Sequence, residues 1–342
     1  MSEPDTTNGT EHRPPPVPFT IERGRLAPEH ETAALEGAAV ADRPRGIISV
    51  AGQGAATCLQ GVLTNDVQTH GEHGFVYGAL LTPKGMIQTD LWVARTDAAH
   101  LAITPLAGRD AALQVFRRYF PPRLARATDR TDEMYVLELL GPTTADMVGQ
   151  SRVPLPSRGA TAVATIAGAD CIVCRPAAAP FELLIMCERT EAEAVRAVLE
   201  AAGVTPVPAE TADLTRVLAG WPLLGAEIGT KTLPQEVRFD ELDAVSYTKG
   251  CYTGQETVAR VHFRGHANRW LAGLVWRKTP TVDDAAILQE DKAVGRVTSA
   301  VWSNAWQLWI GLGLLRREIS PGSTVTACGR TAQIVRVPIP TP

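Results

Sequence analysis

Two copies of one local pattern constrain the fold of this chain more strongly than any other feature. In each copy an apolar strand leads to a glycine turn, a short helix follows, and a second glycine ends that helix. The first strand is predicted at residues 46–50 and the second at residues 135–140. Gly61 and Gly149 end the two helices. A repeat of this kind, with about ninety residues between its copies, indicates two related α+β halves.

The residues between and after these copies favour antiparallel strands. Residues 75–82 and 86–94 form two predicted strands around residues 83–85, which include the glycine of a tight hairpin turn. Residues 108–119 have the apolar spacing of a helix. Antiparallel strands with helices on one side indicate an α+β fold rather than a doubly wound parallel sheet. From about residue 272 onward, short alternating strands separated by turn residues predict a small terminal β-barrel or sandwich.

Length and composition narrow the class of protein. The 342 residues suggest two or three domains, since single cores rarely grow beyond about 250–300 residues. The formal net charge of −4 implies no general attraction to nucleic acid or to an anionic membrane, and we expect neither as a partner. The six cysteines are too sparse for a disulfide framework. Because we find neither a secretory signal nor an apolar run long enough to span a bilayer, we expect a cytoplasmic protein.

Residues 249–256 place a single cysteine between two glycines, just before a predicted helix. Thr253 and Glu256 have the spacing of a capping box, which predicts Thr253 as the N-cap of that helix. Cys251 would then lie near the positive end of the helix and near the Lys249 ammonium, and both favour the thiolate. The alternative is a small buried hydrophobic residue, which is what most cysteines of cytosolic proteins are.

Polar residues elsewhere supply candidate ligand contacts. Asn65 and Asp66 follow the first predicted helix, where they can bind a small polar ligand or simply cap a turn. Asp90 lies in a predicted strand with apolar neighbours. A carboxylate there is costly if it is buried without a partner, and the alternative is that it faces solvent. Arg260 follows the cysteine motif and can either hold a ligand carboxylate by paired hydrogen bonds or belong to a solvated basic face.

The pair Cys171 and Cys174 invites a zinc or redox interpretation. A structural zinc site needs a second pair of ligands, and the nearest candidates, His70 and His73, lie in a different predicted unit. Residues i and i+3 of a strand point to opposite faces, so one of the two cysteines should face the core. We therefore predict no metal site.

Three segments of the chain carry a family resemblance. Residues 233–265 contain the run Lys-Gly-Cys-Tyr-Thr-Gly-Gln-Glu, and residues 59–67 read Leu-Gln-Gly-Val-Leu-Thr-Asn-Asp-Val. Both are similar to signatures of the YgfZ-type folate-binding proteins, which are relatives of the glycine-cleavage T-protein (aminomethyltransferase). Residues 294–299, Val-Gly-Arg-Val-Thr-Ser, resemble the strand that opens the T-protein C-terminal barrel. The resemblance covers residues 35–342.

This resemblance implies a T-protein-like ring of three domains around a central folate pocket. The chain would divide into a disordered N-terminal tail, a first α+β domain built from two segments, a second, ferredoxin-like α+β domain, and a C-terminal β-barrel. In that order the implied bounds are residues 1–34, residues 35–128 completed by 206–262, residues 129–205, and residues 263–342.

The function that the resemblance implies is iron–sulfur cluster assembly or repair by a folate-binding protein. Cys251 would be the functional thiol with Lys249 beside it, and tetrahydrofolate would be the cofactor. Transient contact with an iron–sulfur cluster would follow, with iron–sulfur proteins or cluster-assembly factors as partners, and we expect a monomer. The implied folate-binding residues are Asn65, Asp66, Asp90, Tyr119, Gln255, Glu256 and Arg260.

The alternative is an enzyme of the aminomethyltransferase type, which moves a one-carbon unit to tetrahydrofolate with Asp90 near the reacting amine. Two positions depart from the T-protein pattern. Thr89 stands where T-proteins carry the first of two acidic residues, and Leu218 stands where they carry a glutamate for the pterin. Since a charge-assisted hydrogen bond of that kind contributes about 1.5–3 kcal/mol, we expect weaker folate binding and no aminomethyl transfer.

Overall fold

The computed structural model describes residues 25–71, 73–281 and 285–340. These residues form seven α-helices, which in chain order are α1 (Pro28–Leu35), α2 (Ala55–Gln60), α3 (Arg109–Tyr119), α4 (Thr144–Gln150), α5 (Ala192–Ala201), α6 (Thr211–Ala219) and α7 (Gln255–Arg264). They also form seventeen strands. In chain order these are β1 (Ala39–Ala41), β2 (Arg45–Ala51), β3 (Phe75–Leu81), β4 (Ile87–Arg95), β5 (His100–Pro105), β6 (Arg126–Asp129), β7 (Met134–Leu140), β8 (Ala160–Ile166), β9 (Ala169–Arg175), β10 (Leu183–Glu188), β11 (Thr205–Val207), β12 (Arg269–Trp276), β13 (Ala286–Gln289), β14 (Lys292–Ser303), β15 (Leu308–Arg316), β16 (Thr324–Ala327) and β17 (Arg330–Val335).

The first sheet has the order β3-β4-β5-β2-β6, and each neighbouring pair is antiparallel. The predicted hairpin is confirmed, because β3 and β4 pair directly and Gly85 makes the turn at φ +81°. Side chains alternate between the two faces of the sheet. Leu80 and Leu91 pack on one face with residues of α2 and α3, whereas Tyr77 and Ile47 face the centre of the molecule.

The second sheet has the order β11-β1-β7-β10-β9-β8. Its strands are antiparallel except for β1 and β11, which pair in parallel. Residues 39–41 were expected in the first domain, but β1 belongs to this second sheet. All three residues of β1 are buried between β7 and β11, so the chain completes the second sheet before it enters the first.

The expectation of a disordered tail through residue 34 is wrong for its last part, because α1 begins at Pro28. A proline fits the first helical position, where its missing N–H removes no helical hydrogen bond. The buried carboxylate of Glu31 accepts a hydrogen bond from Ser303 Oγ at 2.6 Å and another from the Asn304 backbone N–H. The helix is therefore anchored on the C-terminal lobe. Residues 1–24 lie outside the described residues.

The C-terminal strands close into a barrel with the order β12-β15-β14-β13-β16-β17. The α+β class with a terminal β-barrel is confirmed, although strand β13 was not predicted from the sequence. Trp276 and Trp309 are fully buried inside this lobe. A single apolar core joins the inner faces of both sheets, residues after β11, and one face of the barrel. The lobes thus surround a shared centre. No helix in the described part of the chain is both long and apolar enough to cross a bilayer.

Candidate functional site

Asp90 lies at this shared centre, on the inner face of β4. Only 6% of the residue is exposed, so the solvent-facing alternative is wrong. The Tyr77 hydroxyl donates a hydrogen bond to Oδ2 at 3.0 Å, while Oδ1 is buried and has no hydrogen-bond partner in the described part of the chain. Burial raises the pKa of the Asp90 carboxyl, and the hydrogen bond from Tyr77 opposes this only in part. The centre therefore holds a carboxylate with one oxygen free to accept a hydrogen bond.

Aromatic rings pack around Tyr77, the hydrogen-bond donor to this carboxylate. The Tyr77 ring centroid lies 4.8 Å from that of Trp92, 4.9 Å from that of Trp221 and 5.5 Å from that of Phe239. All four side chains are buried. They exclude water from Asp90, which strengthens any hydrogen bond that it makes. Trp221 and Phe239 were not among the sequence candidates, and their position is fixed only by long-range packing.

Thr89 faces away from Asp90, because neighbouring residues of a strand point to opposite faces. Its hydroxyl lies 2.7 Å from that of Thr104, and a Cβ added to Gly108 would lie 2.0 Å from Thr89 Oγ1. A longer acidic side chain would not fit at position 89 without displacing the backbone at Gly108. The threonine is therefore a packing residue here.

Asn65 and Asp66 fold their own loop. The Asn65 amide donates hydrogen bonds to the carbonyl oxygens of Tyr77 and Asp243, and its own oxygen accepts one from the Asp66 N–H. Partial burial works to raise the pKa of Asp66, but backbone hydrogen bonds from Gln68 and Thr69 hold it below its ordinary value. Both side chains thus position the loop that follows α2, in addition to any contact with a ligand.

Lys249 is buried and turned toward the same loop. Its Nζ donates hydrogen bonds to the carbonyl oxygens of Leu63 at 2.7 Å and Asn65 at 2.8 Å, and it lies 5.1 Å from the ring centroid of Tyr252. Burial lowers the pKa of Lys249 to about 8. Within the described residues no hydrogen bond joins Nζ to the Cys251 sulfur. Lys249 therefore connects two loops by hydrogen bonds to backbone carbonyl oxygens.

The helix after Cys251 begins differently from the predicted capping box. Its N-cap is Gly254 at φ +84°, and no side chain caps it, so the assignment of Thr253 as N-cap is wrong. A Cβ at Gly254 would lie 2.6 Å from the carbonyl oxygen of Thr82. The β3–β4 turn therefore approaches the start of α7 so closely that only glycine fits at this position. The side chain of Gln255 accepts the Tyr252 N–H at 3.2 Å. Gln255 thus shapes the turn that carries Cys251.

Cys251 is the exposed member of the six cysteines. Cys171 and Cys174 are both buried on opposite faces of β9, as their spacing predicted, and Cys171 belongs to the core of the second sheet while Cys174 belongs to the central core. Burial raises the pKa of the half-buried Cys58. In the described part of the chain, no group of three or more histidine, cysteine or acidic residues is placed to hold a metal ion.

The remaining candidates lie at the surface. Tyr119 is 37% exposed in the last turn of α3, which covers the face of the first sheet opposite to Asp90. Glu256 and Arg260 are exposed on α7. The structure therefore does not bring Tyr119 to Asp90, and it assigns Glu256 and Arg260 to a solvated helix face.

A buried ion pair near Leu218 was missed by the sequence analysis. Arg216 donates hydrogen bonds to Glu227 at 3.0 Å and to Ser299 Oγ of the barrel at 2.8 Å. Ser299 in turn donates to Glu227 at 2.7 Å. Leu218 itself is partly buried against the central core, and its backbone carbonyl accepts the Ile339 N–H. These contacts join α6 to the barrel, and position 218 contributes apolar contact.

Comparisons with known families agree with this architecture. Residues 23–245 match the family model described as the GCVT N-terminal domain, and residues 269–339 match the glycine cleavage T-protein C-terminal barrel domain. The crystal structure of glycine cleavage system aminomethyltransferase T from Bartonella henselae superposes with a TM-score of 0.76 over 94% of this chain and 91% of that chain, at 18% identity. This match confirms the T-protein-like arrangement of three domains.

Two curated relatives narrow the family. The tRNA-modifying protein YgfZ of Colwellia psychrerythraea is 27% identical over 227 residues, which is 66% of this chain and 68% of that protein. The aminomethyltransferase of Frankia alni is 27% identical over 289 residues, which is 82% of this chain and 78% of that protein. The chain therefore belongs to the glycine-cleavage T-protein family, as a YgfZ-type member related to the T-protein itself.

Proposed function

We propose that this protein acts in iron–sulfur cluster assembly or repair, with Cys251 as its functional thiol. The observation that carries the proposal is that Cys251 is the one exposed thiol among six, on a loop fixed by the buried Lys249 ammonium and by the close packing of Gly254. An exposed thiol on a fixed loop is accessible to a macromolecular partner. It can ligate one iron of a cluster, or exchange with a disulfide or persulfide.

Tetrahydrofolate is the ligand that we propose for the centre of the molecule. Among the described residues the buried Oδ1 of Asp90 has no hydrogen-bond partner, and the rings of Trp92 and Trp221 pack on Tyr77, which donates to the same carboxyl group. A planar ring that presents N–H donors fits this combination of an acceptor and aromatic surfaces. Asp90 would accept the hydrogen bond, and Tyr77 would orient the Asp90 carboxylate. The one-carbon acceptor chemistry would come from the bound folate.

The partners and location of the protein are part of the same proposal. We propose a cytoplasmic monomer that meets iron–sulfur proteins or cluster-assembly factors. The relative from Colwellia psychrerythraea is named for tRNA modification. We therefore keep RNA as a candidate partner, although the net charge of this chain is −4.

An aminomethyltransferase activity is the second candidate. It is favoured by the buried Asp90 carboxyl, whose pKa is raised by burial, and by the similarity to the Frankia alni aminomethyltransferase. Against it, Thr89 packs on the opposite face of β4 and Leu218 is apolar. With aminomethylated lipoyl carrier as substrate, we expect no formation of methylenetetrahydrofolate. Turnover in that assay would favour this second candidate.

The thiol role is tested in a strain that lacks the gene. The activities of several 4Fe–4S enzymes are measured after complementation with the wild type, with Cys251→Ser and with Cys58→Ser. We expect Cys251→Ser to leave these activities at the level of the deletion strain. Cys58→Ser should restore them, because the half-buried Cys58 thiol is less accessible to a partner than the exposed Cys251 thiol. Full rescue by Cys251→Ser would overturn the assignment of the thiol.

A further inference from the structure

Three aromatic side chains form a step on the outer side of α7. The Phe263 side chain is 66% exposed, although phenylalanine is usually buried in a folded protein. Its ring centroid lies 4.7 Å from that of His262 and 5.6 Å from that of Tyr247, in edge-to-face contacts. Tyr247 and His262 stack on each other at 3.8 Å. We call these three residues the aromatic step.

One carboxylate holds the inner two rings of the step. Asp240 Oδ1 accepts the Tyr247 hydroxyl at 2.5 Å, and Asp240 Oδ2 lies 3.0 Å from His262 Nδ1. The rings are therefore fixed before any ligand arrives. A rigid aromatic surface binds with less loss of side-chain entropy than a mobile one.

Several arginines lie on α7 and on the wall of a nearby cavity, although the whole chain is acidic. Arg269 and Arg238 are paired with the carboxylates of Glu236 and Glu241. Four other arginines are exposed, and in the described residues their guanidinium groups make neither an ion pair nor a hydrogen bond. These four are Arg260, Arg264, Arg317 and Arg336.

A cavity of about 400 Å³ lies between the 3₁₀ turn at Pro234–Val237 and the barrel. Arg317, Arg336 and Trp270 are among the residues that line it. Its volume is within the range of small-ligand sites, roughly 300–1,000 Å³. The cavity is therefore large enough for one nucleotide unit and has unpaired guanidinium groups at its wall.

Gln235 connects the cavity to the step. Its Nε2 donates hydrogen bonds to the Tyr247 hydroxyl at 3.0 Å and to the Val258 carbonyl at 3.2 Å. Because a carbonyl can only accept, this contact fixes which end of the amide is the nitrogen. The other end, Oε1, is buried and has no hydrogen-bond partner among the described residues. Gln235 therefore links the wall of the cavity to the Tyr247 ring of the step.

We propose that the aromatic step and the adjacent cavity bind a single-stranded segment of RNA. A base would stack on Phe263, and phosphates would contact the four exposed arginines. Aromatic stacking beside unpaired arginines is how proteins hold unpaired strands. An exposed phenyl ring would not contribute to the binding of a small anion. Four unpaired guanidinium groups would not contribute to the binding of an apolar helix. The inference goes beyond the proposed function, and Cys251 takes no part in it.

The test is fluorescence anisotropy of the full-length protein with a labelled single-stranded RNA of about twelve nucleotides. Four phosphate contacts predict a slope of about −3 when log affinity is plotted against log salt. We expect Phe263→Ala to weaken binding roughly tenfold, since one stacked base is lost. Arg264→Glu and Arg336→Glu should each weaken binding and reduce the salt slope by about one unit.

Matched variants and competitors make the test decisive. Val163→Ala removes a side chain from another surface residue that is 62% exposed, and Arg123→Glu reverses an exposed arginine in the first lobe. We expect both, and Cys251→Ser, to bind like the wild type. Unchanged binding by Phe263→Ala, or equal affinity for a duplex of the same sequence, would overturn the proposal. Binding of polyglutamate in preference to RNA would overturn it as well, and would assign the surface to an acidic protein.

Discussion

The interior around Asp90 and the surface loop of Cys251 are two polar centres of opposite character. Asp90 is fixed in a strand, enclosed by aromatic rings, and keeps one oxygen without a partner. Cys251 is exposed on a loop whose geometry comes from Lys249 and Gly254. The first centre can act on a small ligand that enters the protein, and the second can act on a partner that stays outside. We propose that the two centres have separate roles within one fold.

The strongest test of this contrast removes a charge that supports the interior. We expect Arg216→Met to lower the free energy of unfolding by about 3–5 kcal/mol, because it leaves the Glu227 carboxylate buried without its cation. The control Arg264→Met removes an exposed arginine from α7 and should change stability by less than about 0.5 kcal/mol. Urea denaturation of both variants measures the two values, and equal effects would contradict the role of the buried ion pair.

A smaller effect is expected for the lysine that supports the surface loop. Lys249→Met removes two hydrogen bonds to carbonyl oxygens and should lower the free energy of unfolding by about 1–3 kcal/mol. The exposed Lys231→Met serves as the control. If denaturation shows that Lys249→Met unfolds with nearly the free energy of the wild type, other contacts hold the loop.

The same lysine predicts a dependence of stability on pH. In the folded protein the pKa of Lys249 is about 8, below its ordinary value of 10.5. Between these two pH values the unfolded chain binds more protons than the folded one, so stability contributed at this site rises with pH from about 8 to 10.5. Denaturation across this range should show the slope in the wild type and not in Lys249→Met. A parallel slope in both proteins would assign it to other groups.

Local patterns in the sequence were sufficient for much of the fold. The β3–β4 hairpin depends on Gly85 and alternating apolar residues, and helix α3 depends on apolar spacing, so both could be predicted. The opposite burial of Cys171 and Cys174 follows from strand geometry alone. By contrast, β1 belongs to the second sheet because of partners about a hundred residues or more away along the chain, for which a local pattern gives no signal.

The candidate site was only partly predictable for the same reason. Asp90 could be named as a candidate, but Trp221 and Phe239 reach it only through tertiary packing. Thr253 has the right spacing for a cap, yet the contact of Gly254 with Thr82 sets the start of α7. Likewise, the spacing placed the Lys249 ammonium near the thiol, whereas its hydrogen bonds lead to another loop.

The most direct test of two separate roles is the calorimetric titration of tetrahydrofolate into the wild type, Asp90→Asn and Cys251→Ser. An asparagine presents a different set of hydrogen-bonding atoms at the unpaired Asp90 oxygen, so we expect Asp90→Asn to weaken binding by roughly ten- to a hundredfold. We expect Cys251→Ser to bind with the affinity of the wild type. The opposite result, in which Cys251→Ser loses the folate and Asp90→Asn keeps it, would contradict the separation of an interior ligand site from a surface thiol.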